Sequence, residues 1–224
     1  MRDSYTRAMG AARVFAVIGL VLVTCGGAAA PGPAPSTSGA PSLPSPSQAG
    51  ARQLSAADAE AVVGASVRAA LAAFKKRDGP ALGALAHPSK GVRFSPYAYV
   101  QATNITLSAA QLTTGFTDPT KRTWGVTDGR GDPIVMTFTD YTGSYIYARD
   151  FASSSQTAYN KTIGAGNTID NTTAVYPDAI LFEAYDPGSD PALKDFQWQS
   201  LRLFFERSGS GWYLVSVIHA AWTI

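Results

Sequence analysis

The chain has two histidines, and His219 is the one placed to do chemistry. It lies near the end of an apolar run, among Val217, Ile218 and Trp222. Imidazole titrates near neutrality and is the side chain best suited to proton transfer. Glu183, on a neighbouring strand, would orient it across the sheet as a general base, with Asp140 as a second acid able to assist. The competing reading is a histidine hydrogen-bonded at a sheet end. His87 precedes Pro88 and reads as a helix-end cap rather than a ligand.

Arg202 alternates with Leu201 and Leu203. On a concave face its guanidinium would bind an anionic ligand; on the surface it would pair with Glu206 or Glu183. Tyr97, Tyr99 and Trp198 would line a pocket or form a sugar platform, and core packing explains them equally well. Asp128-Gly129-Arg130-Gly131-Asp132 contains two acids and an integrin-type tripeptide. A calcium loop supplies more oxygens at regular spacing, and Gly-rich acidic runs are ordinary turns. The sequence lacks the zinc-protease, Cys-x-x-Cys, P-loop and nucleophile-elbow patterns, so neither a metal centre nor a cofactor is expected.

The lone cysteine, Cys25, follows an uncharged apolar run, Val14 to Val23, which in turn follows Arg2, Arg7 and Arg13. A positive start and a short apolar core form the secretory signal pattern, and the run is too short to span a bilayer comfortably. Leu22-Val23-Thr24-Cys25 resembles the lipobox of bacterial lipoproteins, with Thr24 where a smaller residue is usual. That resemblance implies cleavage before Cys25 and acylation of its thiol, giving a lipid-anchored, extracytoplasmic protein with the membrane as a partner. More than one acyl chain meets the requirement for stable anchoring. Cleavage after Ala28-Ala29-Ala30 is the alternative, disfavoured by Pro31. The expected organisation is a signal over residues 1–24, a lipidated Cys25 with a disordered Pro/Ser/Ala-rich tether over 25–53, and one domain over 54–224. A Pro-rich tether is extended at about 3.1 Å per residue, which gives a reach on the order of 80 Å.

The formal charge of +2 arises in the signal, where three cations meet one anion, so the rest of the chain is balanced. Lys75-Lys76-Arg77 is the densest basic cluster and sits where a helix ends, complementing its dipole. A nucleic-acid binder shows a basic footprint, which is absent here, so no nucleic-acid partner is expected.

These residues must be positioned by an α+β domain. Ser55 and Asp58 start a helix over 54–77, with Val63, Val67, Ala70, Leu71 and Phe74 on one face. Asp78-Gly79-Pro80 stops it and opens a short second helix ending at His87-Pro88. Val92, Phe94, Tyr97 and Tyr99 read as strand material broken at Pro96. Ser108 with Gln111 caps a short helix; 113–133 reads as loop anchored by Trp124. Thr137 with Asp140 starts a helix carrying Phe138, Tyr141, Tyr145 and Ile146, and 152–178 as an irregular excursion. Strands follow over 179–185, 197–207 and 212–223, the last two joined by Ser208-Gly209-Ser210-Gly211. Helices early and strands late predict an antiparallel sheet covered on one face by helices.

This order, with the phrases Lys90 to Tyr97, Asp128 to Ile134, Tyr159-Asn160, Ser200 to Phe205 and Trp222 to Ile224, resembles the NTF2-like, cone-shaped α+β superfamily. More narrowly it is similar to a group of bacterial lipoproteins of unknown activity. The resemblance covers most of 54–224. It implies a curved antiparallel sheet covered by N-terminal helices, with loop insertions and a conical pocket that is catalytic in some members and only binds or dimerises in others. The group carries an acidic pair after its final histidine, where this chain has Ala220-Ala221, and that departure weakens a proton relay there. The combined expectation is a noncatalytic domain binding a small molecule, an envelope polymer or a protein. The alternative is an isomerase, dehydratase or hydrolase using His219. A homodimer through an open sheet face is a third expectation.

Overall fold

The computed structural model describes residues 54–223; Cys25 and the expected signal and tether lie outside the described residues. Helix α1, Ala56–Lys76, is Ala-rich and begins at Ser55, whose hydroxyl accepts from the Asp58 amide. Its buried stripe, Ala59, Val63, Val67, Ala70, Leu71 and Phe74, repeats every three or four residues, as an amphipathic helix requires. The helix ends on Arg77 in the left-handed conformation, φ 56°. Asp78 then caps α2, Gly79–Leu85, through the Ala81 amide. His87 closes the following turn, its Nδ1 accepting from the amides of Ser89 and Lys90.

Strand β1, Val92–Ser95, stops before Pro96, so Tyr97 and Tyr99 follow the strand rather than belong to it. The short β2, Thr106–Leu107, leads into α3, Ala109–Gly115, whose Ser108–Gln111 capping box is complete in both directions. The stretch expected as loop carries a hairpin, β3 Arg122–Val126 and β4 Pro133–Met136. Trp124 and Ile134 point into the core, and the Trp124 indole donates to the Met136 carbonyl at 2.9 Å. Helix α4, Phe138–Tyr141, widens into a π turn over Thr142–Ile146.

The excursion after residue 152 contains an edge strand, β5 Gln156–Tyr159, and a short helix, α5 Thr172–Val175. It also contains Asn160 at φ 52°, whose amide and side chain bond both backbone groups of Leu181. Next come β6 Ile180–Asp186, α6 Lys194–Gln197, β7 Gln199–Ser208 and β8 Gly211–Ala221. The last three strands fall within two residues of their predicted bounds.

The main sheet runs β2-β1-β8-β7-β6-β5. It is open and α+β in class but not wholly antiparallel, because β1 pairs in parallel with β8. The chain reaches β1 from α2 already running beside β8: His87 donates to the Leu214 carbonyl and Ala86 bridges Leu214.

Both faces of the central strands are buried. Leu201, Leu203, Phe205, Leu214 and Val217 pack under α1 with Trp124, Phe138 and Tyr141. Leu181, Phe204, Val215 and Ile218 form a second cluster with Tyr176 and Val100 on the opposite face. The expected single covered face is corrected accordingly. The excursion folds back over the far side, where Asn171 clamps both backbone groups of Val100.

Candidate functional site

Register decides where the predicted residues go. Glu183 lies opposite Arg202, and Arg202 opposite Ile218. His219 lies opposite Leu201. Directly paired residues share a face and successive ones alternate, so Glu183 and Arg202 occupy the far face and His219 the helix face. The expected His219–Glu183 relay does not form. A one-residue bulge in β8 at Val215, between the pairs Phe204–Ser216 and Phe205–Leu214, sets this parity.

His219 is 6 % exposed. Its Nδ1 stands 3.2 Å from the Pro96 carbonyl. A carbonyl only accepts, so Nδ1 carries the proton and Nε2 is bare. That Nε2 is buried without a hydrogen-bond partner among the described residues. Burial holds its pKa down to about 4, against a smaller rise from the Pro96 carbonyl. The ring meets the edge of Tyr145, which stacks on Tyr141, which stacks on Trp124 at 4.2 Å. The imidazole is thus sealed behind an aromatic column.

Asp140 serves the start of α4: its carboxylate accepts from Thr137 Oγ1 at 2.8 Å, and its amide donates back to the same oxygen. It is exposed at a helix start rather than set beside His219.

Arg202 is 2 % exposed, with both terminal nitrogens hydrogen-bonded and Nε in ion-pair contact only. One terminal nitrogen reaches Asp170 Oδ2 at 2.7 Å, the other the Gly164 carbonyl at 2.7 Å, and Nε stands 3.3 Å from Glu183 Oε1. Glu183, wholly buried, accepts from the amides of Ile163 at 2.7 Å and Gly164 at 3.1 Å. The expected surface pair is therefore a buried clamp fastening the excursion to the sheet; Glu206 pairs instead with Lys90. At Asp170, burial opposes ionisation, but bonds from Thr172 and Arg202 outweigh it and hold the pKa below the usual carboxylate range.

Two adjoining clefts open where this clamp holds the excursion. The larger, about 450 Å³, lies between the segment Tyr97–Gln101, the turn after β3 and Asn167–Ile169. The smaller, about 240 Å³, runs inward past Gly164, Gly166 and Trp198 to Asp170 and Arg202. Tyr97 and Thr168 line both. Tyr99 is 46 % exposed in the larger cleft, whereas Trp198 is buried and stacks on Tyr185. The backbone of Gly164 comes so close to Trp198 that a Cβ there would stand 2.5 Å from the indole. Tyr97 and Tyr99 thus line the larger cleft, and Trp198 lines the smaller while packing in the core with Ala98 and Ala220. His219 lines neither.

Sequence reasoning missed Asp170, Gly164 and the Asn167–Ile169 rim. All lie in the polar excursion, where only the turn-prone Gly-Ala-Gly-Asn run, 164–167, signals structure. Among the described residues no group of three or more His, Cys, Asp or Glu is placed to hold a metal ion, and no helix is long and apolar enough to cross a membrane. Comparison with protein-family models, with curated proteins and with solved structures finds no match to this chain.

Proposed function

We propose that this chain is an envelope lipoprotein, anchored through Cys25, whose NTF2-like domain binds a ligand without transforming it. The carrying observation is the separation of groups. The open cleft holds Tyr97, Tyr99 and Gln101, while the strongest acid–base candidate, His219, is sealed on the helix side and the buried Glu183 is spent on Arg202. Binding sites are concave, largely apolar and pre-formed, with a few polar groups fixing orientation, and the larger cleft fits that description. An α+β order led by a long helix, with an open sheet and long insertions, supports the NTF2-like reading. The lipobox-like Leu22 to Cys25 supports the anchor.

The catalytic alternative rests on the unpartnered Nε2 of His219. It requires the Tyr145 column to open before substrate could reach that atom.

The binding reading is tested by adding solubilised envelope fractions to the protein and following backbone amide shifts. Shifts centred on Tyr97–Gln101 and Asn167–Ile169 are expected; silence at those amides with every fraction refutes the cleft as the site. For the anchor, incorporation of a labelled lipid precursor is expected, and should vanish in Cys25→Ser.

A further inference from the structure

On the reading that the Tyr97–Tyr99 cleft is the binding site, we infer its ligand class: an uncharged, N-acetylated glycan chain lying along both clefts with a sugar ring against Tyr99.

The clefts of about 450 and 240 Å³ share Tyr97 and Thr168 in their walls, so two cavities adjoin rather than one hole standing alone. A chain of linked small rings can occupy both clefts; one compact molecule in the larger leaves the smaller empty.

Charge excludes the anionic polymers. Among the described residues the one cation lining either cleft is Arg202, and Asp170, Glu183 and the Gly164 carbonyl already hold it. The remaining charges there are the carboxylates Asp128 and Asp170. A phosphate-bearing or polyuronic chain would meet like charge with no free donor cation, a repulsive element that discriminates between partners.

The aromatic wall is pre-organised. Tyr99 is half-exposed although its neighbours Ala98 and Val100 are buried. Its segment is pinned on both sides, by Asn171 on the Val100 backbone and by Ser95 Oγ on the Tyr97 carbonyl at 2.7 Å. A ring face carries partial negative charge and favours polarised C–H edges, and a pyranose presents a row of axial C–H bonds. Holding the ring in place before binding lowers the ordering cost.

The acetamido preference comes from the side chains flanking that ring. Val126 and Ile169 are 41 % and 74 % exposed in the same cleft as the Gln101 amide. Bare methyls beside a group that both donates and accepts match an N-acetyl group, with its methyl on Ile169 or Val126 and its amide on Gln101.

The experiment is calorimetric titration of the full chain with the β-1,4-linked tetramer of N-acetylglucosamine, with cellotetraose as the matched chain lacking acetamido groups. Saturable binding of the N-acetylated tetramer is expected, with cellotetraose weaker by about tenfold. Tyr99→Ala should weaken the tetramer by about tenfold, Gln101→Ala should lower it toward the cellotetraose value, and Tyr99→Phe should retain it. Melting curves confirm that these exposed-site variants fold. Equal affinity for the two tetramers overturns the acetamido assignment. Binding unchanged in Tyr99→Ala overturns the site. If neither tetramer binds at millimolar concentration while an envelope fraction still shifts the cleft amides, the glycan class is refuted and the cleft reading survives. If no fraction shifts them either, both fall.

Discussion

Glu183 and His219 lie on opposite faces of the sheet, and one extra residue in β8 puts them there. Counted from the hairpin pair Ser208–Gly211, a regular ladder would place His219 opposite Ser200, on the face that carries Arg202 and Glu183. The bulge at Val215 shifts the pairing to Leu201. A one-residue slip exchanges faces for every residue beyond it, so this bulge moves the histidine away from the acid and under the helices.

The buried clamp makes a first prediction. Removing one partner of a buried ion pair costs about 3–5 kcal/mol where the other charge is left uncompensated; here Arg202 keeps Asp170 at 2.7 Å, which puts the loss at the lower end of that range. Glu183→Gln should lose on the order of 3 kcal/mol in urea unfolding and expose the Ile163 and Gly164 amides to hydrogen exchange. Glu183→Leu combined with Arg202→Met should not recover that loss, because it leaves the Ile163 and Gly164 amides, the Gly164 carbonyl and Asp170 without their partners. An unchanged midpoint and unchanged protection in Glu183→Gln would show that Glu183 does not hold the excursion.

His219 predicts a pH dependence. Its pKa is about 4 in the folded chain and 6.5 ordinarily. Between those values the unfolded chain binds the extra proton, so stability falls as pH drops from about 6.5 to 4, by roughly 3 kcal/mol in all. Asp170, with its lowered pKa, adds a loss of the same sign as pH falls through the carboxylate range. The difference between the native chain and His219→Gln isolates the histidine: the variant should lack this part of the slope. Parallel curves for the two proteins from pH 7 to 4 would contradict the sealed imidazole.

Tyr141 predicts a gain. Its ring is fully buried in the aromatic column, and its hydroxyl has no hydrogen-bond partner among the described residues. Burial raises its pKa well above the ordinary value, with Tyr145 and Tyr97 adding to the shift. An unmade buried hydrogen bond costs about 1–3 kcal/mol, so Tyr141→Phe should leave stability unchanged or raise it by about 1 kcal/mol. A loss of 2 kcal/mol or more would show that the hydroxyl is bonded.

Gly164 predicts a local lesion. A Cβ there meets the Trp198 ring at 2.5 Å and Ser200 Oγ at 2.7 Å. Overpacking costs about 1–3 kcal/mol, so Gly164→Ala should destabilise by that amount and shift Trp198 fluorescence. The shift is the discriminating readout; an unaltered spectrum would mean that Gly164 does not pack against the Trp198 ring.

The long elements were legible for physical reasons. Helix α1 buries a stripe at helical spacing between two strong end signals, and β6, β7 and β8 are unbroken apolar runs closed by a Gly-rich turn. Short strands were not. Strands β3 and β4 each bury a single residue, Trp124 and Ile134, and β5 is an edge strand with a polar exterior. The site was half legible. Tyr97 and Tyr99 announce themselves by type, but their cleft needs Asn167–Ile169, which Arg202 and Glu183 hold there together with Asn171 on Val100 and Asn167 on Thr223. The bulge that parts Glu183 from His219 leaves no mark on composition, since β8 is buried on both faces around Val215.

The central claim is that the protein works through the Tyr97–Tyr99 cleft and not through His219. Native mass spectrometry of the full chain, extracted gently from its own envelope, tests it with two variants side by side. Beyond any lipid on Cys25, the account predicts a noncovalently bound non-protein mass that is lost in Tyr99→Ala and retained in His219→Gln. A mass retained in Tyr99→Ala and lost in a folded His219→Gln would contradict it and return the function to the buried histidine.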